Sequence, residues 1–502
     1  MLATVLTGLV HGLDARLVEV QVDVSPSGVP GFFLVGLASG SVREARERVR
    51  TAIRNTGLTF PRRRLTVNLA PAELRKDGSG LDLAIAVGIS LAALGRRPPE
   101  GAAFLGELAL DGAVRHVHGV LVVAGGLRSQ GISELFVPPC DAAEAALAAG
   151  LVVRPAPTLG SVIGHLTGEA PLEAYSGAPP EPAPVLPELD LAEVHGQEGA
   201  RRALEIAAAG GHHLLMWGPP GAGKTMLARC LPGLLPPLEL EEALELAQVR
   251  SVLGELPGAG PLEWRRPFRS PHHSISLAGL VGGGSRLGRP GEVSRASNGV
   301  LFLDELAEFN GATLQALRQP LEQGRVVVTR SGGSVAFPAR FQLVAATNPC
   351  PCGWAGDGGR PCRCSPTAVD AYLRGLTGPL LDRIDLQVHV PRVAPESLGR
   401  ESVGESSSVV RARALCARSR QVERQGVLNS ALGGAQLRRW APLGAAARRW
   451  LERWAGEARL SARAFHRAWR VARTLADLED AAHVEERHVM EAIGYRLVEQ
   501  AA

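Results

Sequence analysis

Residues 218–225 read Gly-Pro-Pro-Gly-Ala-Gly-Lys-Thr. An apolar run over 214–217 precedes it and a helical run from Met226 follows. Glycines between a strand and a helix let backbone amides turn toward a phosphate. The pattern therefore predicts a phosphate-binding loop on a parallel α/β sheet. The predicted nucleotide-binding residues are Gly218, Pro219, Pro220, Gly221, Ala222, Gly223, Lys224 and Thr225.

The second half of the predicted site lies further along the chain. Residues 299–305 read Gly-Val-Leu-Phe-Leu-Asp-Glu, an apolar strand that ends in two carboxylates. Lys224 is expected to reach the β- and γ-phosphates, and Thr225 and Asp304 to hold Mg²⁺. Glu305 is expected to polarise the attacking water. The sequence thus predicts ATP and Mg²⁺ as cofactors.

Three further polar residues are candidates for the same chemistry. Asn348 ends a third apolar strand and is suited to orient water near the γ-phosphate. Arg383 stands between Asp382 and Asp385, which fits either a local salt bridge or an arginine finger that reaches a neighbouring subunit's nucleotide. The second alternative requires a ring. Arg463 opens a helix near the end of the chain and could fold down over the nucleotide.

Composition excludes some classes of protein and permits others. A chain of 502 residues is too long for one core and predicts two or three domains. The net charge of +4 permits a nucleic-acid partner without demanding one. The sequence shows no leader and no apolar run of membrane-spanning length, so we expect no membrane association. Seven cysteines without an export signal favour a reducing, cytoplasmic location.

The pattern of apolar residues divides the chain into three parts and a linker. Residues 1–170 alternate strands, such as 65–69 and 135–137, with helical stretches over 42–55 and 81–94. A Pro-rich stretch within 171–189 predicts a semi-rigid linker.

The other two parts follow the linker. Residues 190–395 alternate buried strands with helices, which is typical of a parallel α/β sheet. Residues 396–502 are rich in Arg, Ala and Leu. Trp450, Trp454 and Trp469 recur there at helical spacing, which favours a small helical core over base stacking.

Four of the cysteines lie within fifteen residues. Clustered thiolates in a reducing compartment suit tetrahedral Zn²⁺. The Cys-x-Cys spacing is tighter than the usual two-residue gap, so a Gly/Pro-rich loop with free thiols stays open as the alternative. The candidate zinc ligands are Cys350, Cys352, Cys362 and Cys364.

The ordered motifs resemble AAA+ proteins of the magnesium-chelatase-like branch, and specifically the YifB/ComM group. Three strings are similar to that group: Asn-Leu-Ala-Pro-Ala-Glu-Leu-Arg-Lys-Asp-Gly-Ser at 68–79, Phe-Arg-Ser-Pro-His-His-Ser at 268–274 and Asn-Pro-Cys-Pro-Cys-Gly at 348–353. The resemblance implies an α/β protein with an N-terminal domain of the ribosomal S5/Lon-protease type, an AAA+ module and a C-terminal helical lid.

The resemblance also implies a function. The best-described member of the group is a hexameric DNA helicase that promotes branch migration during natural transformation. By this likeness we expect a homo-hexamer that acts on single-stranded or branched DNA. Arg383 becomes the trans-acting finger, Asn348 the first sensor and Arg463 the second sensor.

Chelatase-type insertions supply the candidate DNA contacts. One spans 248–297, and a hairpin-like stretch follows at 325–335, with Arg330 near its tip. Related ring helicases place a basic residue there against DNA, so Arg330 is expected to contact phosphate; the alternative is an exposed turn arginine. Arg269, His272 and His273 could line the same channel or form a polar loop that holds its own backbone.

The first 170 residues resemble the Lon protease domain in layout, but they lack its catalytic pair. Lon proteases use a serine nucleophile and a lysine. Counted from Lys76, the nucleophile position falls on Gly80 and the lysine position near Val123, while Ser79 is one residue off. We therefore expect a non-proteolytic domain.

The sequence leaves three classes of function open. A DNA translocase leads, a motor subunit of a metal chelatase shares the same core, and an ATP-dependent protease or chaperone is disfavoured by the missing dyad.

Overall fold

A computed structural model of the chain describes residues 2–26, 29–36, 40–74, 76, 78–177, 181, 187–256, 262–284, 288–330, 333–356, 360–376, 380–393, 404–457 and 461–496. Much of the predicted linker at 171–189 and the predicted boundary near 395 lie outside these residues.

The first part of the chain is built on a mixed seven-stranded sheet. Val18, Val20 and Val22 alternate with polar residues and are fully buried, so one face of their strand lies on the core. The strands expected over 65–69 and 135–137 are confirmed within this sheet. In spatial order the strands are Gly31–Val35, Arg64–Ala70, Asp14–Ser25, Leu2–His11, Ala102–Phe104, Glu134–Val137 and Val152–Pro155.

Helices cover this sheet, and two of them were expected from the sequence. The helix Asp82–Leu94 is apolar on nearly all sides because it packs between the sheet and other helices. A small ladder pairs Glu107–Leu108 with Val114–Arg115. The α-helices of this part are Gly40–Asn55, Asp82–Leu94, Val120–Ser129, Ala142–Ala146 and Leu159–Thr167.

The second part is built on a five-stranded sheet in which every paired neighbour is parallel. Its strands are short apolar runs, buried on both faces as expected when helices cover a parallel sheet. Because the strands are parallel, the segments that follow them all emerge at one edge of the sheet. The strand order is Phe268–Arg269, Val300–Leu303, Gln342–Thr347, Leu214–Trp217 and Leu386–His389.

Helices and two small ladders complete this second part. The ladders join Gly282–Gly283 to Arg289–Pro290 and Arg325–Arg330 to Gly333–Pro338. The α-helices are Glu198–Gly210, Lys224–Leu234, Leu240–Leu253, Leu277–Val281, Glu292–Arg295, Gly311–Ala316, Arg318–Gln323 and Pro366–Leu376.

The third part is helical, as predicted. It packs against Glu198–Gly210, the first α-helix of the second part. Trp454 and Trp469 are buried in one core with Leu451, and Trp450 packs against it, so the helical-core interpretation is confirmed. The α-helices are Ser407–Gln425, Gly434–Trp440, Ala445–Glu457, Ala462–Leu478 and Glu486–Gly494. Over the described residues of all three parts, 3₁₀ turns lie at Pro139–Asp141, Leu191–Glu193, Leu306–Glu308, Leu381–Arg383 and Asn429–Ala431. The expected fold class, α/β with a parallel sheet and C-terminal helices, is thereby confirmed.

The first and second parts are in direct contact. Leu121 is buried with Leu246 and Trp264, which belong to the second part. Ser251 accepts a backbone bond from Gly119 at 2.9 Å and donates its hydroxyl to Glu144 at 2.6 Å. Burial raises the pKa of Glu144.

The length and apolar character of the helices bear on whether any of them is suited to cross a membrane. Across the described ranges, none of the helices combines the length and the apolar character that a bilayer crossing needs.

Candidate functional site

The predicted phosphate loop lies between a strand and a helix. It leaves the carboxyl end of Leu214–Trp217 and enters the helix Lys224–Leu234. Gly218 has no room for a side chain, because a Cβ there would lie 2.1 Å from the carbonyl oxygen of Val390. The loop therefore sits tightly against the neighbouring strand, and the amides at the helix N-terminus face an anion site.

Lys224 is held over this loop. Its ammonium donates to the carbonyls of Gly218 at 2.6 Å and Pro219 at 2.9 Å, and to Asn348 Oδ1 at 3.1 Å. Burial lowers the pKa of Lys224 to about 8, although the charges of Asp304 and Glu305 raise it. The contact to Asn348 brings the expected first sensor into the same site.

Two oxygen ligands for a hard cation are adjacent. The Thr225 hydroxyl donates to Asp304 Oδ2 at 2.8 Å. A hydroxyl beside a carboxylate at a phosphate loop suits Mg²⁺, which prefers oxygen ligands and shares its sphere with phosphate. Both predicted magnesium ligands therefore fit the ion.

Glu305 follows directly and has an unusual backbone. Its φ of 52° places it in the left-handed region, where an L-residue is strained, and its N–H donates to Asp304 Oδ1 at 3.0 Å. His273 Nδ1 lies 3.3 Å from Glu305 Oε2. The predicted water-activating carboxylate is thus next to the magnesium ligands and beside a histidine from a different loop.

Arg383 and Arg463 lie together, but at the other edge of the sheet. Arg383 precedes the strand Leu386–His389, so it marks the amino-terminal edge, whereas the phosphate loop follows the carboxyl end of the adjacent parallel strand. Four strand residues at about 3.3 Å each separate these edges by about 13 Å. Both arginines line a cleft of about 1260 Å³, and none of residues 218–225 lines it.

The cleft is formed by the sheet's amino-terminal edge and the helix Ala462–Leu478. Arg383 forms an ion pair with Glu322. The hydrogen bond and charge of Arg383, and then the charge of Arg463, hold the pKa of Glu322 below its usual value. We call Arg383, Arg463 and Glu322 the arginine face.

The four predicted zinc ligands converge. Their sulfur atoms all lie within 4.8 Å of one another. Cys350 Sγ is 3.4 Å from Cys352 Sγ and 3.7 Å from Cys362 Sγ. Tetrahedral zinc with Zn–S bonds of about 2.3 Å separates its sulfurs by about 3.8 Å, so the cluster fits zinc.

The four-Cys loop also contacts the nucleotide site. A Cβ at Gly353 would lie 2.6 Å from Pro220 in the phosphate loop. Trp354 lies between the guanidinium groups of Arg360 and Arg392, at 4.9 and 5.2 Å from its ring. The four-Cys loop therefore packs directly against the phosphate loop.

The candidate DNA residues have different surroundings. Arg330 ends the first hairpin strand, opposite Gly333; its side chain and the turn at 331–332 lie outside the described residues. Arg269 is paired with Glu292 through two bonds, at 2.7 and 3.0 Å. His272 Nδ1 lies 2.8 Å from the Ser274 hydroxyl. For Arg269 and His272 these contacts favour the alternative of a loop that holds its own structure.

Ser79 and Lys76 are separately engaged in the N-terminal part. The Ser79 hydroxyl donates to the Glu107 carboxylate, and the Lys76 ammonium donates to the Pro71 carbonyl. Burial lowers the pKa of Lys76. These contacts do not form a Ser–Lys dyad.

Sequence reasoning missed Glu322 and Glu292 as partners of arginines, and it missed that His273 touches Glu305. Isolated acids and histidines carry no spacing signal, because their partners lie far away along the chain. The parallel pairing of Phe268–Arg269 with Val300–Leu303 would have brought the 270–276 loop to Glu305, had that two-residue strand been recognised.

Comparisons with known proteins agree with this geometry. Three family models match: Subunit ChlI of Mg-chelatase over residues 18–141, Magnesium chelatase, subunit ChlI over 190–398, and Magnesium chelatase, subunit ChlI C-terminal over 404–496.

Individual relatives cover nearly the whole chain. An uncharacterised protein YifB of Salmonella typhimurium is 43% identical over 99% of this chain and 98% of its own length. The competence protein ComM of Haemophilus influenzae is 44% identical over 99% of this chain and 97% of its own. The magnesium-chelatase 38 kDa subunit of Rhodobacter capsulatus is 28% identical, over 33% of this chain and 51% of its own. The chain therefore belongs to the YifB/ComM family of magnesium-chelatase-like AAA+ ATPases.

Proposed function

We propose that this protein is a cytoplasmic, ring-forming DNA translocase that uses ATP and Mg²⁺ to drive branch migration, as in the uptake of transforming DNA. The observation that carries the proposal is the division of the ATPase machinery between two edges of one sheet. Lys224, Thr225 and Asp304 lie at one edge, and Arg383 lies at the other.

This division supports a ring. An arginine finger acts on the γ-phosphate, and Arg383 is about 13 Å of strand away from its own phosphate loop. A neighbouring subunit in head-to-tail contact can bring the arginine face of one chain to the phosphate loop of the next. Arg463 lines the same cleft, so its expected place over a nucleotide is also that of the neighbour.

The DNA part of the proposal is supported by the hairpin and by the name of the ComM relative, which is a competence protein. The apolar face of the hairpin Arg325–Arg330 with Gly333–Pro338 packs into the core of the second part, and Leu13 of the first part packs against the same cluster. Arg330 stands at the end of the first strand, where a basic residue can meet a phosphate in the ring's channel.

The first test is the steady-state ATPase rate with no DNA, with single-stranded DNA and with a four-way junction. We expect DNA to stimulate the rate, and Lys224→Ala to abolish it. Rings are checked separately by electron microscopy with nucleotide. ATPase activity that ignores every DNA, in a preparation shown to form rings, contradicts the translocase.

Arg330 is tested by DNA affinity as a function of salt. Arg330→Ala is expected to weaken binding and to flatten the salt dependence, because each phosphate contact releases a counterion. Arg325→Ala, at the other end of the same strand, is the matched control. If Arg330→Ala leaves affinity and slope unchanged, Arg330 is only an exposed turn arginine.

A second candidate function is the motor of a metal-chelatase complex, favoured by the likeness to the 38 kDa subunit. That function requires a large partner that holds the porphyrin. ATPase stimulation by such a partner, but not by DNA, would identify it. A protease is tested by casein cleavage, and cleavage lost in Ser79→Ala would reinstate that third class.

We also propose that the four-Cys loop holds structural Zn²⁺. Protein purified without chelator or affinity metal is expected to contain about one zinc per chain. Cys352→Ser and Cys362→Ser are expected to lose it, whereas Cys416→Ser, an exposed cysteine elsewhere, keeps it. Zinc well below one per chain in the wild type contradicts the site.

A further inference from the structure

Three side chains of the first part, each with a different ligand atom, converge away from the nucleotide site. His116, Cys140 and Asp141 offer a nitrogen, a sulfur and an oxygen, and these atoms all lie within 4.8 Å of one another. His116 Nδ1 is 2.5 Å from Asp141 Oδ1. The Cys140 thiol is also hydrogen-bonded to the Asp141 carboxylate. An imidazole, a thiol and a carboxylate in one place are a typical donor set for a transition metal.

The cluster is formed by two separate segments of the chain. Cys140 and Asp141 lie in the 3₁₀ turn Pro139–Asp141, which begins with a proline whose fixed φ limits the movement of the backbone. His116 follows the strand Val114–Arg115 and lies 25 residues before its aspartate partner. The three donors are therefore brought together by the fold, and no short spacing motif marks them in the sequence.

The Asp141 carboxylate is the fixed member of the cluster. It is fully buried, and its Oδ2 accepts the backbone N–H of Val117 at 3.2 Å. Glu144, which is also buried, is bonded to the Ser251 hydroxyl at 2.6 Å and to a backbone amide at 2.9 Å. A buried carboxylate is costly unless donors or a cation compensate its charge. The side chains of His116 and the neighbouring cysteine, which face Asp141, are both able to hold such a cation.

The other two members are open to solvent. The His116 side chain is 40% exposed, and Cys140 is exposed as well, so an ion can reach the cluster from solution. Tetrahedral zinc, with bonds of about 2.0–2.1 Å to nitrogen and oxygen, separates these two atoms by about 3.3 Å. The distance of 2.5 Å from His116 Nδ1 to Asp141 Oδ1 then has to widen by about 0.8 Å. The exposed histidine ring is the member that is free to move.

We propose that His116, Cys140 and Asp141 bind an exchangeable divalent transition-metal ion of the Zn²⁺ type, with water as the fourth ligand. The ion replaces the hydrogen bond between His116 Nδ1 and Asp141 Oδ1, and the imidazole then carries its proton on Nε2. The Cys140 thiol releases its proton to solvent as the metal–sulfur bond forms. Structural zinc sites are closed by four protein ligands, whereas this site has three, two of them exposed. The ion is therefore lost during purification in metal-free buffer.

The metal would lie beside the contact between the first and second parts. Gly119 donates its N–H to the Ser251 carbonyl at 2.9 Å. The His118 ring lies against Gly254, where an added Cβ would be 2.2 Å from the ring. An ion on His116 fixes the segment that makes both contacts. Because the ion binds the folded chain, Zn²⁺ is expected to raise the unfolding temperature.

The test is Zn²⁺ binding to the full-length, untagged chain by equilibrium dialysis, with a reductant that does not bind metal. The double variant Cys352→Ser with Cys362→Ser removes the four-Cys loop from the count and serves as the background. The background is expected to bind about one Zn²⁺ per chain. His116→Ala and Cys140→Ser, each added to the background, are expected to weaken the affinity more than about tenfold, because losing a ligand costs more than losing an outer partner.

Cys416→Ser and His483→Ala are the matched controls, because each removes an exposed residue of the same type elsewhere. Both are expected to keep the affinity of the background. A background that binds no Zn²⁺ overturns the proposal, and so does an affinity unchanged in both His116→Ala and Cys140→Ser. If the background fails to fold, the comparison is made in the wild type, where each of these two variants is expected to bind one exchangeable Zn²⁺ fewer.

Two further measurements distinguish a metal site from a purely structural pair of His116 and Asp141. Co²⁺ bound by a thiolate gives a charge-transfer absorption in the near ultraviolet, which is expected in the background and absent in Cys140→Ser. Zn²⁺ is expected to raise the unfolding temperature of the background but not that of His116→Ala. A structural pair would instead lower the metal-free unfolding temperature of His116→Ala and leave its response to Zn²⁺ intact, and that result would overturn the proposal.

Discussion

The phosphate loop and the arginine face, which we propose to act in one reaction, are built differently. At the loop, Lys224 reaches Asn348 at 3.1 Å and Thr225 reaches Asp304 at 2.8 Å. At the arginine face, Arg383 instead pairs with Glu322 on the opposite edge of the sheet. One half is assembled around the phosphate loop, and the other is held as an ion pair in which the Arg383 side chain is only 11% exposed.

The comparison separates the residues expected to bind the nucleotide from those expected to assist its hydrolysis. A single chain can bind nucleotide with the loop alone, because the lysine and the oxygen ligands already meet. In the proposed ring, the arginine that further stabilises charge on the transferred phosphoryl group is Arg383 of a neighbouring chain, because Arg383 lies at the other edge of the sheet from its own loop. Hydrolysis is then expected to depend on assembly of the ring, whereas nucleotide binding is not.

The largest expected effect is that of Arg383→Ala. An arginine finger contributes about a thousandfold or more to the rate of phosphoryl transfer, so kcat is expected to fall by about that factor. Nucleotide binding, measured with a fluorescent ATP analogue, is expected to stay near the wild-type value, because the phosphate loop lies at the other edge of the sheet.

Mixing two inactive variants sharpens this test. Lys224→Ala lacks a working loop but keeps Arg383, and Arg383→Ala has the reverse defect. In a mixed ring with equal amounts, about a quarter of the head-to-tail interfaces combine an intact loop with an intact arginine. Recovery of activity supports action between subunits, whereas a mixture as inactive as its parts contradicts it.

Arg463→Ala is expected to have the second largest effect. Removing one preorganised donor to developing charge costs roughly a hundredfold to a thousandfold in kcat. Arg463 lines the same cleft as Arg383 and is exposed, so nucleotide affinity of the isolated chain is expected to be unaffected. If affinity of the isolated chain falls instead, Arg463 acts on the nucleotide of its own chain.

The loop half could be predicted from sequence, and the reason is geometric. Asp304 and Asn348 directly follow apolar runs, Lys224 follows the glycine-rich loop after a third run, and parallel strands bring such positions to one edge. Lys224, Asp304 and Asn348 therefore needed only the strand assignment to be placed together. The alternation of Val18, Val20 and Val22 with polar residues is likewise typical of a strand, and these valines form its buried face.

The arginine face could not be predicted in the same way. Arg383 and Arg463 were candidates from their sequence positions and took their roles from the resemblance, but their position at the amino-terminal edge depends on strand order and on how the last helices pack. Glu322 and His273 had no signal, because a single acid or histidine is common and its partner lies far along the chain. Packing of Leu13 beside the hairpin also depends on how two separate parts dock.

Asp385→Asn tests whether the fold can be destabilised near the arginine face without affecting nucleotide binding at the phosphate loop. Asp385 is buried; burial raises its pKa, but the hydrogen bond and charge of His212, with the charges of His213 and Arg470, lower the pKa to about 2. A shift of this size corresponds to about 2 kcal/mol of stability at neutral pH, which the variant is expected to lose. Binding of ADP to the folded variant is expected to be unchanged.

The direction of the pKa shift determines the pH range over which Asp385 stabilises the fold. The folded-state pKa of Asp385 lies below the unfolded value of about 3.9, so the contribution is fully present above that value. It is lost as pH falls toward about 2. The difference in free energy of unfolding between wild type and variant is therefore expected to be constant from pH 8 to about 5 and to shrink below about pH 4. A difference that grows with acid would contradict the assignment.

The smallest expected effect is that of Glu322→Gln, and it asks what the ion pair on the arginine face does. Glu322 is exposed, and an exposed pair contributes little, so the ATPase rate is expected to change by less than about fivefold. The expected direction is upward at low salt, because Arg383 has to leave Glu322 before it reaches a neighbour's phosphate. Screening weakens the pair in the wild type, so the two rates are expected to converge as salt is raised. A rate that falls at every salt concentration would mean that Glu322 orients Arg383 within the assembled site, and the arginine face would then resemble the loop in being built before the ring forms.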